Sequence, residues 1–91
     1  MKKIYSKKQL ALMIVSANPD IFIPIDTLID DLNYIYKIRK IAKKIIHKDE
    51  YNDTLLKNLI TTSRNIFGDN CNKLYDIVLS EDELEVIKPF L

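Results

Sequence analysis

Residues 26–48 read Asp26-Thr27-Leu28-Ile29-Asp30-Asp31-Leu32-Asn33-Tyr34-Ile35-Tyr36-Lys37-Ile38-Arg39-Lys40-Ile41-Ala42-Lys43-Lys44-Ile45-Ile46-His47-Lys48. Leu28, Ile29, Leu32, Ile35, Ile38, Ala42, Ile45 and Ile46 recur at the i, i+3, i+4, i+7 spacing of one helix face. Asp26, Asp30 and Asp31 lie in the early turns, and Lys43, Lys44 and Lys48 in the late ones. That order complements the helix dipole at both ends. The stretch predicts a helix starting near Asp26-Thr27 and running to Lys48; a break at Asn33 would divide it into two shorter helices. His47 is the chain's one imidazole, and its place at the predicted C-terminus suits a cap better than a general base.

The other face of that helix is basic. Lys37, Lys40, Lys44 and Lys48 follow one another at i, i+3, i+7, i+11, with Arg39 and Lys43 alongside and Tyr36 nearby. Such a stripe can meet phosphates, and Lys2, Lys3, Lys7 and Lys8 could extend it. A helix-turn-helix would need Asn33 as its turn and Tyr34–Lys48 as its recognition helix. The fit is poor. Ile29 stands where a small residue belongs, Arg39 stands where a side chain should pack inward, and no Asn or Gln is placed to read base edges.

Upstream, Ile21-Phe22-Ile23-Pro24-Ile25 is apolar but interrupted by a proline, and reads as an extended connector or a short edge strand. Before it, Ser6 and Gln9 form a capping box that opens a helix to about Ala17. Leu10, Met13, Ile14 and Ala17 make its stripe, widened by Leu12 and Val15. A helix apolar nearly all round is buried on several sides or used in oligomerisation. Asn18-Pro19-Asp20 ends it.

Downstream, a helix is predicted over Asn52–Phe67, with Leu55, Leu56, Leu59, Ile60, Ser63, Ile66 and Phe67 on its inner stripe. Gly68, the chain's one glycine, follows where a left-handed C-cap is wanted. A fourth helix covers about Asn72–Leu79, with Leu74, Ile77 and Val78 inward. Ser80-Glu81-Asp82-Glu83 is a second capping box, opening a fifth helix with Leu84 and Ile87 on one face. Pro89 ends it before Phe90-Leu91. The expected fold is all-α: a small bundle of four to five short helices in a single domain over residues 1–91, with one short extended segment at 21–25.

Length and composition fit that reading. The 91 residues are 47% hydrophobic and 30% charged, too apolar for disorder and too short for two independent cores. The net charge of +1 is a cancellation. Residues 1–48 carry ten bases against four acids, and residues 49–91 carry four bases against nine acids. The halves either attract one another within the fold or present surfaces of opposite sign.

Chemistry is limited by what is scarce. One Cys and one His cannot build a structural zinc site within one chain. One Gly cannot build a phosphate-cradling loop. Glu81, Asp82 and Glu83 read as dipole complement and cap rather than as cation ligands. Cys71 reads as a small buried apolar residue. No cofactor, no metal and no catalytic group is expected, and the chain reads as a non-enzyme. The lone Cys and the shortness of the apolar run Leu10–Val15 favour a cytoplasmic protein with no membrane partner.

What remains is interaction. Leu12, Val15, Phe22, Ile23, Phe90 and Leu91 form the candidate apolar contact surface, more than such a bundle readily hides. Small adaptors, immunity proteins and phage- or plasmid-borne inhibitors share this profile of size and composition. The expected role is regulation by occupying the surface of a protein partner, with homo-oligomerisation open to the same apolar faces. The rival is a nucleic-acid-binding regulator using Tyr36, Lys37, Arg39, Lys40, Lys43, Lys44 and Lys48.

Overall fold

The computed structural model describes residues 5–20 and 23–91; the expectations for Lys2, Lys3, Ile21 and Phe22 lie outside them. Among the described residues five α-helices follow in order: α1 (Lys7–Ala17), α2 (Ile25–Ile46), α3 (Asp53–Phe67), α4 (Cys71–Val78) and α5 (Glu81–Ile87). Single 3-10 turns follow α3 (Gly68–Asn70) and α5 (Lys88–Phe90). No strand occurs among the described residues, so the fold is all-α and Ile23-Pro24 is a connector.

The long apolar stripe makes α2 one unbroken helix, and Asn33 sits within it. A two-helix reading of 26–48 therefore fails, and the helix-turn-helix geometry with it. The start is one residue earlier than Asp26, because Pro24 at the N-cap is already fixed at φ −54° and hands directly into Ile25. The end is earlier than Lys48. The Asp49 N–H donates to the Lys44 carbonyl at 2.8 Å, and the Lys48 N–H to the Ile45 carbonyl at 3.1 Å. This pair of bonds is a Schellman closure, with Lys48 in the left-handed position at φ +59°. His47 takes the C-cap, as the dipole argument expects.

Around α2 the bundle assembles. It packs against α1, α3, α4 and α5, and buries Leu28, Leu32, Ile35, Ile38, Ile41 and Ala42. Ile41 was not on the predicted stripe; neighbours on several sides widen the buried arc. Leu56, Leu59 and Ile60 of α3, Leu74 and Val78 of α4, Leu79, and Ile87 of α5 complete the core with Leu10 and Ala11 of α1. The α3 stripe is narrower than its sequence suggests, since Leu55 and Ile66 are exposed. A 15-residue helix pressed mainly on one neighbour covers one arc, and these two lie beyond it.

Caps delimit the short helices. Both predicted boxes form: Ser6 with Gln9 on α1, and Ser80 with Glu83 on α5. Asn52 caps α3, its side chain accepting from the Leu55 N–H at 3.0 Å. Gly68 does stop α3, but not as a left-handed α cap. Its φ +58° and ψ −137° are the mirror image of extended backbone, which turns the chain straight into the 3-10 turn leading to α4. A Cβ there would meet nothing within 4 Å, so backbone conformation alone makes the glycine necessary.

α1 is seated differently from the rest. Among the described residues its backbone lies against α2 and no other element. The particle is correspondingly flattened, 41 × 30 × 20 Å, with a furrow where α1 and the α3–α4 corner fail to close.

Candidate functional site

That furrow has a volume of about 450 Å³. It lies in the size range of ligand clefts, about 300–1,000 Å³. One wall is α1, where Leu10, Met13, Ile14 and Ala17 repeat at helical spacing. The opposite wall is Ile66 and Phe67 at the end of α3, with Leu74 and Ile77 of α4. Ile23 and Leu28 close one end, and Asn18, Asp31, Asn70 and Lys73 supply a polar rim. Met13, Ile23 and Ile66 remain 42%, 44% and 40% exposed, so the lining is apolar surface the core leaves uncovered.

The sequence-derived apolar set is thus divided. Ile23 lines the furrow. Leu12 is exposed on α1, at a position outside the furrow's lining, and Val15 is half-buried against the core. Phe90 is also half-buried there, in the last 3-10 turn, while Leu91 is exposed beside it. The five that are described, Leu12, Val15, Ile23, Phe90 and Leu91, do not share one surface, and Phe22 lies outside the described residues. The residues that do converge, Met13, Ile66 and Ile77, were legible only as stripe members.

A second concavity, about 370 Å³, is basic and lies where the start of α1 crosses the middle of α2. Lys37, Lys40 and Lys43 of α2 line it with Lys7 of α1. The Lys7 ammonium donates to the Asn33 side-chain amide oxygen (Oδ1) and sits 5.9 Å from the Tyr36 ring centre. The Tyr36 hydroxyl donates to the Tyr5 carbonyl at 2.7 Å. Burial raises the Tyr36 phenol above its ordinary pKa, with Arg39 opposing. Lys37 turns outward over Tyr34, 5.8 Å from that ring's centre. Each cation–π contact contributes about 0.5–1 kcal/mol at such exposed positions.

Two members of the predicted stripe are placed differently from the rest. Lys48 is off the helix, behind the Schellman turn, so the i+11 position of the stripe is lost. Arg39 is turned toward α5, where its Nε donates to Glu83 at 3.2 Å. Lys44 stays exposed on α2, one turn beyond Lys40. Arg39 and Glu83 form the one ion pair between the basic and acidic halves among the described residues; the other, Lys88–Glu85, is local. The two halves therefore present mostly separate charged surfaces.

A third cluster is buried. The Ser63 hydroxyl donates to the Ile60 carbonyl at 2.9 Å, and the Cys71 thiol donates to Ser63 at 3.3 Å. The Tyr75 hydroxyl lies 2.6 Å from Ser63. Since the Ser63 proton is committed to Ile60, Tyr75 is the donor, and Ser63 takes one hydrogen bond on each lone pair. Burial pushes the Tyr75 phenol far above its ordinary value. Cys71 and Tyr75 are each 1% exposed, so the cluster is a structural lock between α3 and α4.

Among the described residues no group of three His, Cys, Asp or Glu could hold a metal ion, and no helix is long and apolar enough to cross a membrane. Compared with known proteins, the chain matches no family model, no curated protein and no solved structure.

Proposed function

We propose that this chain is a small, single-domain, non-enzymatic interaction protein of the adaptor or inhibitor type, working in the cytoplasm. It acts by seating an apolar helical segment of a partner protein in the furrow between α1 and the α3–α4 corner. The observation that carries the reading is the half-exposure of Met13, Ile23 and Ile66 around one concave apolar lining. An amphipathic helix presents anchors at i, i+3, i+4 and i+7, which suits a furrow walled by helices. Asp31 and Lys73 on the rim offer charges of both signs to such a segment's polar flank.

A photo-crosslinking residue at position 66 in cells of the source organism tests this, with position 51, exposed and outside the furrow, as control. The expected result is one discrete protein adduct at 66, absent at 51 and lost when Met13→Glu is added. Equal labelling at both positions, or adducts insensitive to Met13→Glu, would overturn the reading. An adduct with a second copy of this chain would replace a foreign partner with self-association.

A further inference from the structure

The basic concavity shares no lining residue with the furrow and has a chemistry of its own. Its lining holds four lysines, Lys7, Lys37, Lys40 and Lys43, and no carboxylate. Arg39 also borders it, but its Nε is committed to Glu83. None of the four lysines makes an ion pair among the described residues. Lys37 and Lys40 continue to Lys44 as a row with about one charge per 5.4 Å helical turn. Lys7 joins that row from another helix, held in place by Asn33 and the Tyr36 ring.

The geometry points to a phosphate-backbone site for single-stranded nucleic acid, bound without regard to base sequence. A regularly spaced row of cations calls for a regularly charged polyanion. The charge type decides between polyanions. Carboxylates are best held by the planar fork of arginine, and here the arginine is withdrawn; lysine ammoniums act as point charges and accept phosphate. Base readout has little to work with, since the Asn33 side-chain oxygen accepts from Lys7 and the one arginine of the lining is paired through its Nε with Glu83. The concave floor between α1 and α2 admits one strand's backbone, whereas a duplex major groove calls for a protruding helix.

Fluorescence anisotropy of the full chain with labelled oligo(dT), a duplex of equal length and polyglutamate tests the site. Three to four phosphate contacts predict oligo(dT) affinity falling about 20- to 50-fold between roughly 50 and 200 mM salt. Reversing Lys37→Glu with Lys40→Glu should weaken binding about tenfold or more at low salt. The charge-matched pair Lys57→Glu with Arg64→Glu, both exposed on α3 and outside either concavity, should leave it within about threefold. Lys37→Gln with Lys40→Gln repeats the loss at smaller size, and circular dichroism verifies that each variant keeps its helices. No oligo(dT) binding, a flat salt response, or equal loss in both reversed pairs would overturn the proposal. So would preference for the duplex or for polyglutamate.

Discussion

Arg39 of α2 and Glu83 of α5 meet in an ion pair at 3.2 Å whose carboxylate side chain is 4% exposed. The same carboxylate accepts the Ser80 N–H at 2.8 Å, so one side chain both caps α5 and ties it to the central helix. Removing one partner leaves the other charge poorly solvated, at a cost of about 3 kcal/mol. Glu83→Ala should therefore lower stability by roughly that amount, plus about 1 kcal/mol for the lost half of the capping box. The double change Arg39→Met with Glu83→Met should recover most of the ion-pair share, because a packed apolar pair replaces the buried charges. Urea unfolding of the three proteins measures this. A double variant as unstable as Glu83→Ala would refute it.

The Ser63 hydroxyl is the shared acceptor of two buried donors, and this predicts an order of severity. Tyr75→Phe deletes one donor and leaves Ser63 still bonded to Ile60 and Cys71, a loss of about 1 kcal/mol. Ser63→Ala strands the Tyr75 hydroxyl and the Cys71 thiol together, and should cost about 2–3 kcal/mol. Thermal unfolding of both variants checks the ranking, and the reverse order would show that the network carries no such load.

Alkaline pH should unfold the protein through Tyr75. Its folded pKa is raised above the ordinary 10.0, chiefly by burial. The unfolded chain therefore releases that proton first, and stability, complete below about pH 10, falls as pH rises beyond it. Tyr36, raised in the same direction, adds to the slope. In Tyr75→Phe the decline above pH 10 should be shallower than in the parent protein. Equal slopes in stability-versus-pH titrations would contradict the assignment.

Two positive-φ positions predict changes of opposite sign. Lys48 bears a Cβ in the left-handed region, which costs about 1–2 kcal/mol, partly offset in Lys48→Gly by the freedom glycine gains when unfolded. That variant should gain about 0.5–1 kcal/mol, or roughly 3–6 °C in Tm. Gly68→Ala should lose about 1–3 kcal/mol although the site has open space, because only glycine is at ease at φ +58°, ψ −137°. Differential scanning calorimetry reads both.

Much of this fold is written locally. The Ser6 and Ser80 capping boxes and the stop at Gly68 each depend on near neighbours in sequence and appear where predicted, and the stripe of α2 holds over residues 28–42 except that Ile41 joins it, while Ile46 at its end is exposed. The Arg39–Glu83 pair spans 44 residues, and no local rule joins those positions. A trace of it was present. Arg39 stands at i+7 from Leu32 and i+4 from Ile35, where the apolar arc of α2 borders the lysine row, a place from which a cation can reach a buried partner. The furrow was less legible. Exposure of Met13 and Ile66 follows from how α1 is seated, and stripes cannot reveal which of their members lack an opposing neighbour. The Schellman turn at Lys48 was hidden because a lysine, not a glycine, occupies its left-handed position.

The solitary seating of α1 on α2 gives the molecule two levels of cooperativity. The helix can lift away at the cost of its contacts with one neighbour, while α2, α3, α4 and α5 hold one another. Opening free energy should accordingly be lowest in Leu10–Ala17 and highest in Leu32–Ala42, an order that amide hydrogen exchange reads directly. One wall of the furrow thus rests on a single neighbour among the described elements, and Lys7 stands on that same helix. Whatever displaces α1 should therefore be felt at the basic row as well as in the furrow.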